Sequence, residues 1–214
     1  MKKHTYLWIN PVVERMYDPS ILADLMARHH CTPAHCQGDW IAVVRQKYRV
    51  LSDCTCGVIA DARCPMAAQL VREVTATQPE SHLHVADIEP ILLHAARELA
   101  GRADLKDAPK LITTPCQALA DQGNHLQLEN TRFVAWNVLL QEWGEAPPTQ
   151  KLMASPIPPG FFEGSGLTVR KFTGRETIAA YAASCRYSRE QLVELLYCPD
   201  GCHNGDGVVF DETI

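Results

Sequence analysis

Short apolar runs alternate with longer amphipathic segments along most of the chain. Runs of strand length are followed by segments in which apolar residues recur every three or four positions, which is the helical period. The strands predicted in this way are Thr5–Ile9, Val58–Ala60, His82–Val85, Lys110–Thr114 and Arg132–Trp136. The segments with helical spacing begin at Pro19 and Asp39 or span Met66–Val74, Ile88–Ala100, Gln117–Leu126 and Val138–Trp143. This alternation favours an α/β protein with small parallel sheets flanked by helices, whose ligand sites collect at the carboxyl ends of strands.

Capping residues predict where three of the helices begin. Asp39 and Asn137 are each expected to cap the helix that follows. On the helix after Asp39, the side chains predicted to face inward are Trp40, Ile41, Val43 and Val44. The pattern breaks at the prolines of 146–160, and a closing helix is predicted from Ser188, which forms a capping box with Gln191. That helix would deliver Cys198 and turn inward Leu192, Leu195 and Leu196.

Composition and charge exclude several classes of protein. A chain of 214 residues that is 46% hydrophobic can bury a substantial core. A net charge of −5 lacks the basic excess that phosphate contacts need, so nucleic acid is not an expected partner. No run approaches the ~18 apolar residues of a membrane span, and the apolar stretch before Asn10 is too short for a signal peptide. We therefore expect a cytoplasmic protein.

The cysteines carry the candidate chemistry. Nine cysteines in a reducing compartment are more typical of metal ligands, nucleophiles or buried thiols than of disulfides. Cys198 and Cys202 flank a Pro-Asp-Gly turn, and two thiols so placed can converge on one iron–sulfur cluster. Two further ligands are needed, and the candidates are Cys64 and Cys116, each next to a proline where an apolar run ends. Buried thiols and a zinc site remain alternatives, although structural zinc usually takes local Cys-x-x-Cys knuckles.

The remaining cysteines form a second group with several interpretations. Cys31 and Cys36 are close in the chain, as are Cys54 and Cys56, and His35 adds an imidazole. These four thiols could bind a second iron–sulfur cluster or a metal, form a redox or substrate site, or belong in part to the core. Cys185 follows an alanine-rich helical pattern and is expected to be a core residue.

Three stretches together resemble the signature loops of the catalytic domain of iron-only ([FeFe]) hydrogenases. They are Arg63-Cys64-Pro65, Thr114-Pro115-Cys116 and the run from Glu194 through Cys198-Pro-Asp-Gly-Cys202 to Gly207. Their order and the Phe162-x-Gly164-x-Gly166 stretch are similar as well. The resemblance implies one two-lobed domain over 1–214, with lobes of about 1–100 and 101–214 and a metal cluster between the lobes. It also implies anaerobic metabolism and a [4Fe-4S] cluster held by Cys64, Cys116, Cys198 and Cys202.

The chain departs from that family at positions that serve the diiron unit. Arg63 stands where the family has a second cysteine used in proton transfer, and Leu119 stands where it has a lysine that holds a cyanide ligand. Thr114 and Leu196 correspond to methionines that pack on the diiron centre, and Gln122 replaces a glutamate. Without the lysine, a dianionic diiron unit would lose its main polar anchor. The resemblance therefore implies a chain that keeps the cubane cluster and does not evolve hydrogen.

Three functions follow as hypotheses. The first is an electron-transfer or redox-sensing subunit with a redox partner protein. The second is an enzyme that uses the vacated diiron pocket for a small-molecule substrate, with Arg63 as an anion anchor and Cys54 or Cys56 as a thiolate. The third is a scaffold for iron–sulfur assembly.

Overall fold

The chain forms two parallel sheets flanked by helices in a computed structural model that describes residues 4–78, 81–148, 152–157, 159–185, 187 and 189–210. The strands, in chain order, are β1 Thr5–Trp8, β2 Cys31–Pro33, β3 Val58–Ala60, β4 Leu83–Val85, β5 Lys110–Thr114, β6 Thr131–Ala135, β7 Val169–Thr173 and β8 Leu192–Leu196. The helices are α1 Pro11–Arg15, α2 Pro19–Arg28, α3 Trp40–Cys54, α4 Pro65–Thr75, α5 Ile91–Gly101, α6 Gln117–His125, α7 Trp136–Trp143 and α8 Arg175–Ser184. The predicted α/β class with small parallel sheets is confirmed.

The elements divide into two compact units that interleave along the chain. Unit 1 comprises 1–38, 93–157 and 202–214, and unit 2 comprises 39–92 and 158–201. The chain therefore passes from one unit to the other four times. The division into lobes of about 1–100 and 101–214 stays a prediction.

Unit 1 is built on a four-stranded parallel sheet with the order β2-β1-β5-β6. Leu7 of β1 lies opposite Pro33 on one side and Leu111 on the other. A buried cluster around Trp136 and Leu139 packs with Leu7 and with the first two helices. Asn10 joins these parts, because its side chain accepts hydrogen bonds from the N–H groups of Val12 and Val13 (3.0 and 3.1 Å) at the start of α1.

Unit 2 is built on a second four-stranded parallel sheet, with the order β4-β3-β8-β7. Its two central strands have apolar partners on both faces. Val58 and Val193 pack in one cluster, whereas Ile59 and Leu192 pack in another with Tyr48. A parallel strand covered on both faces is a continuous apolar run without alternation.

This double burial explains the largest error of the sequence analysis. The predicted closing helix is the strand β8, all five residues of which are buried. Short apolar runs do not distinguish a buried helix from a buried strand, and the spacing of Leu192, Leu195 and Leu196 fits both. Ser188, the proposed cap, lies outside the described residues. Strand β7 was not predicted, because its exposed edge position leaves it polar.

The predictions about α3 and α7 were correct only in part. Asp39 caps α3 as expected, since its side chain accepts from the N–H of Ala42 at 2.9 Å. Val44 is buried, but Ile41 and Val43 are exposed, so only part of the predicted inward face is correct. The N-cap of α7 is Ala135 and not Asn137, because the helix begins at Trp136, two residues earlier than predicted.

Two further findings concern the segment after α7 and the lengths of the helices. The predicted break after α7 is confirmed, because the described residues between α7 and β7 form no helix or strand. None of the described helices is long and apolar enough to cross a membrane.

Helix α6 packs against β6 at Gly123, which gives a test of the packing in unit 1. A Cβ atom at this position would lie 2.2 Å from Cδ1 of Phe133. We expect Gly123→Ala to lower the free energy of unfolding by about 1–3 kcal/mol through overpacking, measured by urea denaturation.

The matched control is Gly101→Ala at the end of α5, where an added Cβ meets no described atom within 4 Å. This variant should leave stability unchanged or raise it by up to ~1 kcal/mol, since alanine favours helix. Equal effects of the two substitutions would contradict the packing of α6 on Phe133.

Candidate functional site

In unit 2, two of the predicted ligand cysteines follow neighbouring strands. Cys64 comes four residues after the end of β3, and Cys198 comes two residues after the end of β8. The two strands are parallel neighbours, with Ala60 opposite Val193. Because parallel strands end at the same edge of a sheet, Cys64 and Cys198 share the carboxyl edge of this sheet.

The thiol of Cys64 lies close to several backbone N–H groups. Cys64 is the N-cap residue of α4, followed by Pro65 in the first turn, as the sequence predicted. Burial raises the pKa of the Cys64 thiol, and the nearby backbone N–H groups of Tyr197, Ala67 and Met66 oppose this rise. N–H groups placed in this way would stabilise a negatively charged sulfur.

The Pro-Asp-Gly sequence after Cys198 suits the backbone conformation of the turn that it forms. The N–H of Gly201 donates to the carbonyl oxygen of Cys198 at 3.3 Å. Asp200 and Gly201 have φ angles of 59° and 122°, values at which aspartate is tolerated and glycine is unstrained. The turn reverses the chain directly before Cys202.

In unit 1, the other two predicted ligands lie in adjoining turns. Cys116 follows β5 and is the N-cap residue of α6, and Cys202 begins a short 3-10 helix over Cys202–Asn204. A Cβ atom at Gly205 would lie 2.3 Å from the carbonyl oxygen of Pro115, and one at Gly207 would lie 2.9 Å from the nitrogen of Cys116. These glycines therefore allow the turn after Cys202 to lie against the backbone that carries Cys116.

Hydrogen bonds hold the two turns of unit 1 together. The N–H of Gly207 donates to the carbonyl oxygen of Pro115 at 3.1 Å. Asp206 accepts a hydrogen bond from the N–H of Gln117 at 3.0 Å, and therefore supplies the cap at the start of α6 that Cys116 does not provide. The hydroxyl of Thr114 donates to the carbonyl oxygen of Cys116 at 2.8 Å.

A buried ionic network lies beside Cys64 in unit 2. Arg63 donates to Asp61 from Nη2 (2.7 Å) and Nε (3.0 Å), and to Glu194 from Nη2 (2.9 Å). The three side chains are 7%, 0% and 1% exposed, in that order. Burial disfavours the charge on Arg63, but Asp61 and Glu194 more than offset this effect, so the pKa of Arg63 is raised.

The same network extends to the glycine-containing loop of unit 2. Glu194 accepts hydrogen bonds from the N–H groups of Gly160 (2.9 Å) and Phe161 (3.0 Å), and the guanidinium of Arg63 lies 3.9 Å from the ring centre of Phe161. Tyr48 donates to Asp61 at 3.0 Å. Arg63 is thus held by two carboxylates of its own chain, in place of the substrate anion considered from the sequence.

Sequence reasoning missed this network. Asp61 was not singled out, although a charged pair at Asp61 and Arg63 directly after a buried strand was a visible signal. Glu194 was seen only as part of the cysteine motif. Its place inside an apolar run was the second signal, because a buried carboxylate requires a partner.

The second group of cysteines is divided between the units. Cys31 and Cys36 belong to unit 1, and Cys54 and Cys56 belong to unit 2. Burial and the nearby Glu98 raise the pKa of the Cys36 thiol to about 11, and its sulfur lies 3.9 Å from the carbonyl oxygen of Ala95. Cys54 and Cys56 are exposed where α3 ends. A metal or cluster on these four cysteines stays a prediction.

Two further observations concern metal ligands. Among the described residues, no group of three or more His, Cys, Asp or Glu side chains is gathered to hold a metal ion. Cys185 was expected in the core, but it is exposed at the C-cap of α8 with a φ of 49°, because the helix ends one residue before it.

The donor set of each unit nevertheless fits an iron–sulfur cluster. Thiols are the ligands such clusters require, and N–H groups directed at a sulfur stabilise its negative charge. Unit 2 supplies both features at Cys64. In unit 1, Gly205 and Gly207 let the turn after Cys202 lie against the backbone that carries Cys116, so two thiols come from adjoining turns.

The chain has the fold of [FeFe]-hydrogenases. It is similar to HydA1 from Chlamydomonas reinhardtii, with a TM-score of 0.62 and 13% identity to one variant, and 0.63 and 11% to an apo variant. A structure of HydA(deltaEFG), described as revealing stepwise assembly of the H-cluster, gives 0.62 and 13%. Each comparison covers 99% of this chain and 81% of the other. No family model and no curated protein matches the sequence.

The buried network predicts a large effect of removing its cation. Arg63→Met leaves the carboxylates of Asp61 and Glu194 buried without their shared partner. We expect the free energy of unfolding to fall by about 3–5 kcal/mol, measured by urea denaturation of the apo protein.

The matched control is Arg132→Met, which breaks an ion pair with Glu142 whose side chains are 50% and 40% exposed. Exposed pairs contribute little, so this variant should lose no more than about 1 kcal/mol. If both substitutions had the same small effect, the buried network would not be a stabilising constraint.

Proposed function

Because the chain has the fold of [FeFe]-hydrogenases, we propose that it is an iron–sulfur protein that transfers or senses single electrons. In this proposal, Cys64, Cys116, Cys198 and Cys202 ligate one [4Fe-4S] cluster. The bound cluster supplies one-electron redox chemistry, and the protein supplies ligands, hydrogen bonds and burial.

The observation that carries the proposal is the surroundings of Cys64. Cys64 is the N-cap residue of α4, and the backbone N–H groups of three nearby residues lower the pKa of its thiol against the rise caused by burial. Donors arranged in this way offer little to a neutral thiol and much to a thiolate bound to iron. Their arrangement is therefore the one expected around a cluster ligand.

Several side chains support the loss of hydrogen chemistry. Leu119, at the position of the family's lysine, is a buried apolar residue in α6 and offers no charge to a cyanide ligand. Thr114 directs its hydroxyl to the carbonyl oxygen of Cys116. Arg63 is occupied by Asp61 and Glu194. We infer that these positions now stabilise the protein and hold no diiron unit.

A small-substrate enzyme is the second candidate, and one observation favours it. An open groove of about 520 Å³ in unit 2 is lined by Lys47, Val50, Leu51, Cys54 and Ile88, with Gln46 and Asp87. Cys54 would be the reactive thiol of such a site. The groove does not include Cys64 or Cys198, so its chemistry would be independent of the cluster.

The proposal also implies a redox partner protein. An electron carrier needs a donor and an acceptor, and a redox sensor needs a protein that responds to it. An assembly scaffold would differ from both, because it would release its cluster to a recipient protein.

Anaerobic purification followed by iron and sulfide analysis and EPR tests the function directly. One cubane requires about four irons per chain, and a second cluster on Cys31, Cys36, Cys54 and Cys56 would raise the count to about eight. Absence of a cluster would refute the proposal. Carbonyl or cyanide bands in the infrared spectrum would refute the loss of diiron chemistry.

A ligand substitution gives a sharper test. Cys198→Ser should bleach the visible absorption of the cluster and lower the melting temperature of the protein, since cluster binding and folding are linked. The matched control is Cys185→Ser, at an exposed cysteine outside the proposed ligand set. An unchanged spectrum for Cys198→Ser would contradict its assignment as a ligand.

A further inference from the structure

His203 has a buried ring nitrogen without a partner. It lies in the 3-10 helix that begins at the proposed ligand Cys202. Its Nδ1 atom is buried, and no described residue forms a hydrogen bond with it. Buried polar atoms in native proteins are rarely left unsatisfied, so such an atom calls for an explanation.

The position of this turn restricts the explanation. Gly205 and Gly207 lie against the backbone of Pro115 and Cys116, and the N–H of Gly207 bonds to Pro115. Asp206 is tied to Gln117. The backbone around His203 is therefore held beside both predicted ligands of unit 1, Cys116 and Cys202.

An iron–sulfur cluster would provide the hydrogen-bond acceptor that Nδ1 of His203 lacks. Cluster sulfides and ligand thiolates are hydrogen-bond acceptors, so they satisfy a nitrogen that carries a proton. A neutral imidazole can carry its proton on Nδ1. Gln122 Oε1 is also buried without a partner among the described residues, but it is an acceptor and cannot be satisfied by a sulfide or a thiolate. The inference therefore concerns His203 alone.

We propose that the Nδ1–H of His203 donates a hydrogen bond to a sulfur of the cluster bound by Cys116 and Cys202. This proposal rests on the proposed iron–sulfur function. Reduction adds negative charge to the cluster, and a hydrogen bond to its sulfur stabilises that charge. His203 is thus a tuning residue that raises the reduction potential of the cluster.

Two measurements on the holoprotein test this role. Protein labelled with ¹⁵N-histidine should show coupling between a histidine nitrogen and the reduced cluster in pulsed EPR. In His203→Val that coupling should disappear, and the midpoint potential from an EPR-monitored titration should become more negative. In His203→Asn, whose amide nitrogen can take the place of Nδ1, the potential should stay close to that of the wild type.

The matched control is His125→Val, at an exposed histidine of α6 in the same unit. It should change neither the coupling nor the potential. A wild-type cluster without histidine coupling would overturn the inference, as would an unchanged potential in His203→Val.

These outcomes are distinct from failure of the proposed function. If the wild-type protein binds no cluster, the function itself fails. If it binds about four irons but shows no histidine coupling, only the role of His203 fails. The wild-type coupling decides the matter even if His203→Val does not retain its cluster.

Discussion

The burial of two carboxylates around one guanidinium is the constraint on which unit 2 depends. Asp61 follows β3 and Glu194 lies within β8, so Arg63 links the two central strands of the sheet. Buried charges are costly unless they are paired and hydrogen-bonded, and this network meets both conditions through Tyr48 and the N–H groups of Gly160 and Phe161. Because Cys64 is the next residue after Arg63, the same constraint positions a proposed ligand.

Three of the four candidate cysteines lie just after strands of the two parallel sheets. Cys64 and Cys198 follow adjacent strands of one sheet, and Cys116 follows a strand of the other. Cys64 and Cys116 are also N-cap residues, where the helix dipole favours a negatively charged sulfur. The positions of these candidate ligands thus follow from strand order and from where helices begin, and depend little on side-chain packing.

Much of this arrangement could be predicted from the sequence, because local patterns determine it. The strand Lys110–Thr114, the helix after Cys64 and the cap at Asp39 depend on neighbours in the chain. Strand β8 could not be identified, since its buried state depends on partners that the local pattern does not encode. The role of Arg63 was hidden for the same reason, because Glu194 is 131 positions away in the chain.

The interleaving of the two units has a consequence for biosynthesis. The sheet of unit 1 has all its strands once residue 135 has left the ribosome, whereas the sheet of unit 2 must wait for β8 to enter beside β3. Cys198 and Cys202 emerge later still. Any inorganic cofactor that needs all four sulfurs must therefore be loaded after translation of this region, once the central strand of the second sheet is available.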